Sequence, residues 1–134
     1  MTLRTVDLFA GCGGLSLGFQ KEKYNIVAAF ELWDAAVKCY KENFSHSVYQ
    51  TDLSNVDEAV KIIRELKPDI IIGGPPCQDF SHAGKRIEAD RASLTDSYAK
   101  IICAIKPRAF VMENVDRARK SNAYAMAREE FKKA

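Results

Sequence analysis

The stretch Arg4–Phe19, "RTVDLFAGCGGLSLGF", sets the fold. A short apolar run ends at Phe9 and breaks on the glycine turn "AGCGG". The chain resumes as "LSLGFQKE", whose spacing predicts a helix with Leu15, Phe19 and Leu17 turned inward. The same alternation then recurs. "NIVAAFE" reads as a second strand ending at Glu31, and "DAAVKCYKENF" as a helix with Ala36, Val37, Tyr40 and Phe44 on one face. "SVYQTD" is a weaker third strand ending near Asp52. "VDEAVKIIREL" is a helix whose Val56, Val60, Ile63 and Leu66 share a face, and Pro68 stops it. "DIIIGG" is apolar throughout, as strands buried on both faces of a parallel sheet are. A long loop follows, from Pro75 to about Asp90. "SLTDSYAKIICAI" is then a helix ended by Pro107, "RAFVMENV" a fifth strand and "NAYAMAREEFKKA" a final helix.

Five βα units in succession predict an α/β fold: one domain, residues 1–134, built on a doubly wound, mostly parallel sheet. Ligands of such sheets bind beyond the carboxyl ends of the strands. The unusual residues of this chain all fall there. The glycine turn follows strand one, Glu31 ends strand two and Asp52 ends strand three. Cys77 follows strand four, and Glu113 with Asn114 ends strand five.

Composition narrows the class. The 134 residues are 47% hydrophobic and 28% charged, which describes a globular rather than a disordered chain. The net charge of +2 leaves no strong electrostatic footprint for nucleic acid and does not exclude one. The start lacks the pattern of a signal peptide, and no apolar run approaches a membrane span, so a soluble cytoplasmic protein is expected. Four cysteines without a C-x-x-C pair, and only two histidines, do not make a zinc pattern; no metal is expected. Cys39 and Cys103 lie in amphipathic helices and read as buried thiols, whereas Cys12 and Cys77 lie in loops.

The glycine turn places Gly11, Gly13, Gly14 and Gly18 where a strand hands over to a helix, so backbone and helix N-terminus can approach a ligand closely. Glu31 follows Gly11 by about 20 residues, a spacing suited to ribose hydroxyls. Together they point to a nucleoside-containing cofactor. Asp52 has two readings of equal weight: acceptor for an adenine amino group, or a solvated residue opening the helix with Ser54 and Asn55. Trp33 reads either as a pocket wall or as partly buried packing. Cys77 is the sharper case. Gly73 and Gly74 leave strand four, Pro75 and Pro76 stiffen the path, and the thiol is presented at the mouth of the crevice. Glu113, from the adjacent strand end, can face it. A thiol and a carboxyl group in one crevice suit nucleophilic attack assisted by proton donation. His82, Lys85, Arg86 and Arg91 follow in a polar loop that reads equally as phosphate-contacting or simply solvated.

These residues resemble the DNA (cytosine-5) methyltransferases. "DLFAGCGGLSLGF" is similar to their first motif, "GGPPCQDFS" to their catalytic motif and "ENV" (Glu113–Val115) to the next, in the same order across almost the whole chain. No D-P-P-Y type motif of the amine methyltransferases is present. The resemblance implies a Rossmann-like methyltransferase fold using S-adenosylmethionine. It implies Cys77 as the nucleophile that adds to C6 of a flipped cytosine, and Glu113 as the group at N3 and the exocyclic amine. For the cofactor it implies Phe9, Gly11, Gly13, Leu15, Glu31, Leu32, Asp52, Leu53, Pro76 and Leu94, the last from a loose match of "DRASL". For double-stranded DNA it implies Gln78, Ser81, Asn114 and Val115.

The family continues past "ENV" with further strands, a target-recognition domain and a C-terminal helix. The resemblance therefore implies a fold incomplete at its C-terminal side, with an apolar strand-five edge, and a truncation or split enzyme with a complementary chain as partner. The chain alone is then expected to be inactive. Three alternatives stay open: an RNA cytosine-5 methyltransferase on the same scaffold, a nicotinamide-binding Rossmann oxidoreductase using the same glycine turn, and a non-catalytic scaffold.

Overall fold

The computed structural model describes residues 2–76 and 88–133, the side chains of residues 88–93 and Arg117 excepted. The elements run β1 (Arg4–Leu8), α1 (Gly14–Lys21), β2 (Asn25–Glu31), α2 (Asp34–Asn43), β3 (Ser47–Gln50) and α3 (Val56–Leu66). They continue with β4 (Ile70–Gly73), α4 (Glu88–Ile105), β5 (Ala109–Met112), a 3-10 turn (Asp116–Lys120) and α5 (Asn122–Lys133). The five strands are parallel in the order β3-β2-β1-β4-β5, so the chain reverses direction between β1 and β4. That gap is the topological switch point where doubly wound sheets bind ligands.

Strand alternation sends successive side chains to opposite faces. Val6, Leu8, Ala28, Phe30 and Ile71 pack with Ala59, Val60, Ile63, Tyr98, Ile101 and Ile102 of α3 and α4. On the other face, Ile26, Ile70 and Ile72 meet Leu15 and Phe19 of α1, while Ala10 and Ala29 meet Tyr40 of α2. Phe30 stacks on Tyr49 at 5.0 Å, tying β2 to β3. The register slips between Thr5 and Val6, so Val27 bulges and the two faces of β2 stay matched to β1.

Local signals explain the helix ends. Asn55 accepts from the Glu58 backbone N–H at 3.4 Å and donates to the Glu58 carboxylate at 2.9 Å, a reciprocal cap for α3. Lys67 ends α3 in the left-handed region (φ 48°), just before Pro68.

Several expectations are corrected. α4 begins at Glu88 rather than Ser93, because "EADRA" consists largely of good helix formers that extend the amphipathic segment backward. β3 ends at Gln50 and β5 at Met112, short of Asp52 and Val115. Leu17 is 46% exposed, on the side of α1 away from the sheet. Cys39 and Cys103 are half-buried rather than buried; Cys103 donates to the Glu130 carbonyl at 3.4 Å. β5 lies at the sheet edge, with Phe110 and Val111 exposed beside Phe131 of α5. Among the described residues, no helix is long and apolar enough to cross a membrane.

Gly73 shows how closely β4 approaches β1. A Cβ there would lie 2.5 Å from the Leu8 carbonyl oxygen and 2.9 Å from the Tyr98 ring. Gly73→Ala should lower the free energy of urea unfolding by about 1–3 kcal/mol through overpacking against backbone. Gly14→Ala, where a Cβ meets nothing within 4 Å, should change it by far less.

Candidate active site

The carboxyl ends of the strands converge on a cavity of about 670 Å³ lined by Phe9, Glu31, Leu32, Trp33, Asp34, Gln50, Thr51, Asp52, Leu53, Pro76 and Leu94. Seven of the ten positions expected to touch a cofactor line it: Phe9, Glu31, Leu32, Asp52, Leu53, Pro76 and Leu94.

Glu31 organises the entrance. Its Oε2 accepts from the Gly11 N–H at 2.8 Å, and its Oε1 accepts from the Leu32 and Trp33 N–H groups at 2.9 Å each. One carboxylate thereby joins the glycine turn after β1 to the turn after β2. Gln50 Nε2 donates to the Leu32 carbonyl at 3.2 Å and holds that turn from the third strand end. Trp33 is 68% exposed; it walls the cavity rather than packing in a partly buried position. Asp52 fulfils the structural reading: its Oδ1 accepts from the Ser54 N–H at 2.9 Å, opening the turn into α3. It also lines the cavity, so the ligand-facing reading is compatible with the same geometry.

The glycines do two different jobs. Gly11 has φ 56°, and a Cβ on it would meet nothing within 4 Å, so its backbone is open to a ligand. Gly13 has φ 96° and is buried; a Cβ there would stand 2.3 Å from the Phe44 ring and 2.9 Å from Tyr40. It is glycine because the turn rests on α2. Leu15 does not line the cavity: its side chain packs with Ile26, Ile70 and Ile72, so only its backbone in the first turn of α1 is available to a cofactor. Phe9 takes φ 56°, a left-handed conformation rare for an aromatic residue and found where a site imposes it.

The ends of β4 and β5 form a second cluster. The Glu113 N–H donates to the Gly73 carbonyl at 2.8 Å, and Glu113 Oε2 stands 3.1 Å from where a Cβ on Gly74 would be. Asn114 Nδ2 donates to the Pro75 carbonyl at 3.0 Å, and its Oδ1 accepts from the Val115 N–H at 2.8 Å. The exposed acid and the segment leading to position 77 are thus side by side. Asn114 acts here as a tether for Pro75, and Val115 is exposed. Cys77, Gln78 and Ser81 lie outside the described residues, as do His82, Lys85 and Arg86.

Sequence reasoning missed a polar chain beneath the turn. Ser16 Oγ donates to Asp7 Oδ2 at 2.6 Å, and the Tyr40 hydroxyl donates to Ser16 Oγ at 2.7 Å. With its single proton so used, Tyr40 accepts from His46 Nε2 at 2.6 Å, which makes Nε2 the protonated nitrogen of a neutral ring. Burial holds His46 below the ordinary histidine range. Asp7 is fully buried, and its Oδ1 lacks a hydrogen-bond partner among the described residues. The signal was an aspartate inside an apolar strand with a serine nine positions on.

Burial raises the Asp7 carboxyl from 3.8 to about 7, against the hydrogen bonds from Ser16, and Glu31 adds to the rise. The fold thus binds a proton that the unfolded chain releases. The contribution is complete below about pH 4 and is lost as the pH rises through about 7. The stability of the native protein relative to Asp7→Asn should therefore fall across that window, by at most about 4 kcal/mol. Urea unfolding of both proteins at stepped pH measures it, and a constant difference would refute the assignment.

Comparison with known proteins places this geometry. Residues 3–133 match the family described as C-5 cytosine-specific DNA methylase. Type II methyltransferase M.HindV of Haemophilus influenzae is 57% identical over 121 residues, which span 90% of this chain and 40% of that protein. Type II methyltransferase M.HgiGI of Herpetosiphon aurantiacus is 52% identical over 126 residues, 93% of this chain and 100% of that sequence. The crystal structure of an E. coli prophage-encoded protein described as a DNA modification methyltransferase superposes with a TM-score of 0.79 at 30% identity, over 98% of this chain and 37% of that one. The strand-end cavity, the glycine turn tied to Glu31 and the Glu113–Asn114 cluster are therefore features of a chain that belongs to the C-5 cytosine-specific DNA methylase family.

Proposed function

We propose that this chain carries the cofactor-binding and catalytic part of an enzyme that methylates C5 of cytosine in double-stranded DNA with S-adenosylmethionine as methyl donor. The observation that carries the reading is the pairing of Glu113 and Asn114 with the Gly74–Pro75 segment, immediately before a cysteine, in a chain of this family. Family membership also favours methyl transfer over the nicotinamide reading.

The cavity suits the cofactor. Its acids, Glu31 and Asp52, lie at adjacent strand ends, and Phe9, Leu32, Leu53 and Pro76 add apolar walls fit for a purine. The open backbone at Gly11 allows close approach. The chemistry supplied by bound S-adenosylmethionine is a sulfonium-activated methyl group.

The chain's own residues supply the rest. Cytosine C5 is not nucleophilic until something adds at C6. The Cys77 thiolate forms the C6–S bond, and a proton held on Glu113 is delivered to N3 as charge develops there. C5 then carries the electron density that the methylation requires. Loss of the C5 proton reforms the C5–C6 double bond and expels Cys77 as thiolate. The base must leave the helix stack, since neither carbon is accessible within it. Asn114, by fixing Pro75, positions the start of the loop that bears the thiol. The chain spans 40% of M.HindV, and reading of the DNA sequence is assigned to a complementary chain or region rather than to these residues.

Two experiments test this. Duplex DNA containing 5-fluorocytosine replaces the C5 proton with a fluorine that cannot leave as a cation. With S-adenosylmethionine and a complementary recognition-bearing chain, it should trap a denaturation-resistant complex. Cys77→Ser should abolish that complex, and Glu113→Gln should slow its formation by about a hundredfold. A complex that persists in Cys77→Ser refutes the nucleophile. Separately, calorimetry should show S-adenosylmethionine binding that weakens by about tenfold in Glu31→Gln, the scale of a lost charge-assisted hydrogen bond.

A further inference from the structure

The glycine turn carries one reactive group that the proposed chemistry does not use. Cys12 is exposed at the crest of the turn, between Gly11 and Gly13. Its neighbour Gly13 is pressed against α2, with no room for a Cβ beside Tyr40 and Phe44. Cys39 stands one residue before Tyr40 on that helix, half-buried. The thiol of Cys39 is held by Asn43, whose Nδ2 donates to the Cys39 carbonyl at 2.7 Å and to its Sγ at 3.8 Å. The Cys12 thiol is its other partner, and that contact, followed by burial, pushes Cys39 above the ordinary thiol range. Two cysteines from separate elements thus face each other across the joint between the glycine turn and α2. Cys103 is engaged with Glu130 of α5, away from this pair.

We propose that Cys12 and Cys39 are a reversible thiol pair, and that a disulfide between them switches the glycine turn. Its effect on a cofactor rests on the cofactor reading given above. The exposed Cys12, as thiolate, attacks a low-molecular-weight disulfide such as oxidised glutathione. A mixed disulfide forms and one glutathione thiolate departs. Cys39 then loses its proton and attacks the Cys12 sulfur, releasing the second glutathione. The protein is oxidised by two electrons, one glutathione disulfide is reduced to two thiols, and thioredoxin-type reductants reverse the exchange.

The bond would act on the site through geometry. A disulfide holds its sulfurs about 2.05 Å apart, closer than two facing thiols. Gly13 already abuts Phe44 and Tyr40, so the turn cannot simply sink onto α2. The adjustment falls on the neighbouring peptide, whose Gly11 N–H donates to Glu31 at 2.8 Å. Oxidation therefore disturbs the hydrogen bond that ties the turn to the second strand end.

The purified chain, carrying Cys77→Ser to remove the other loop thiol, is equilibrated with glutathione buffers of increasing oxidation and digested without reduction. The expected product is a peptide pair linking Cys12 to Cys39, lighter by two hydrogens, lost on adding dithiothreitol and absent from Cys39→Ala. Glutathione retained on Cys12 with no Cys39 linkage, or a bridge to Cys103, overturns the proposal. Calorimetry on the same samples should show S-adenosylmethionine binding weaker by about tenfold when oxidised, the scale of one hydrogen bond to a charged acceptor. Equal affinity in both states overturns the switch. Absence of binding in the reduced chain instead counts against the cofactor reading, and the peptide map alone then decides the bond.

Discussion

The Glu31 carboxylate is the joint on which the site depends. It accepts three backbone N–H groups from two different turns, so the ends of β1 and β2 are fixed relative to each other by one side chain. Backbone donors left without partners at strand ends are costly when water is excluded. A single anion satisfies all three at once. The arrangement sets where Gly11 presents its backbone, where Leu32 and Trp33 stand over the cavity, and what Gln50 brings from the next strand.

Beneath this joint lies a second constraint of opposite character. Asp7 is placed in the sheet interior, where an ion is disfavoured, and is connected through Ser16 and Tyr40 to His46. The chain of hydrogen bonds crosses from β1 through α1 and α2 to the segment before β3. It anchors the first turn of α1, whose N-terminus has no side-chain cap of its own. The glycine turn is thus clamped from above by Glu31, from the side by the aromatic face of α2, and from below by Ser16.

On the other side of the switch point, β4 and β5 build the catalytic end by a shorter route. The Glu113 N–H pairs with Gly73, and Asn114 pairs with Pro75, so the acid and the prolines that precede Cys77 share one backbone frame. The tight β1–β4 contact at Gly73 brings that frame against the cofactor side. The fold thereby sets two crevice walls from four strand ends and two turns.

The sequence by itself determined the element order, the parallel sheet and the residues gathered at its carboxyl edge. These follow from local periodicity, from glycine and proline punctuation, and from the rule that doubly wound sheets bind ligands at strand ends. Seven cavity positions were legible for that reason. Only the tertiary structure decided what each residue does there. Gly11 and Gly13 look alike in the chain, yet one opens to a ligand and the other makes room for Phe44. Leu15 belongs to the core because α1 turns it toward Ile26 and Ile72, and Trp33 stands in the open because the Glu31 carboxylate draws its backbone to the cavity rim. The Asp7 network and the Cys12–Cys39 pair were illegible for the same reason: their partners are far apart in sequence, and contacts of that kind exist only once the sheet has set the register of its turns and helices.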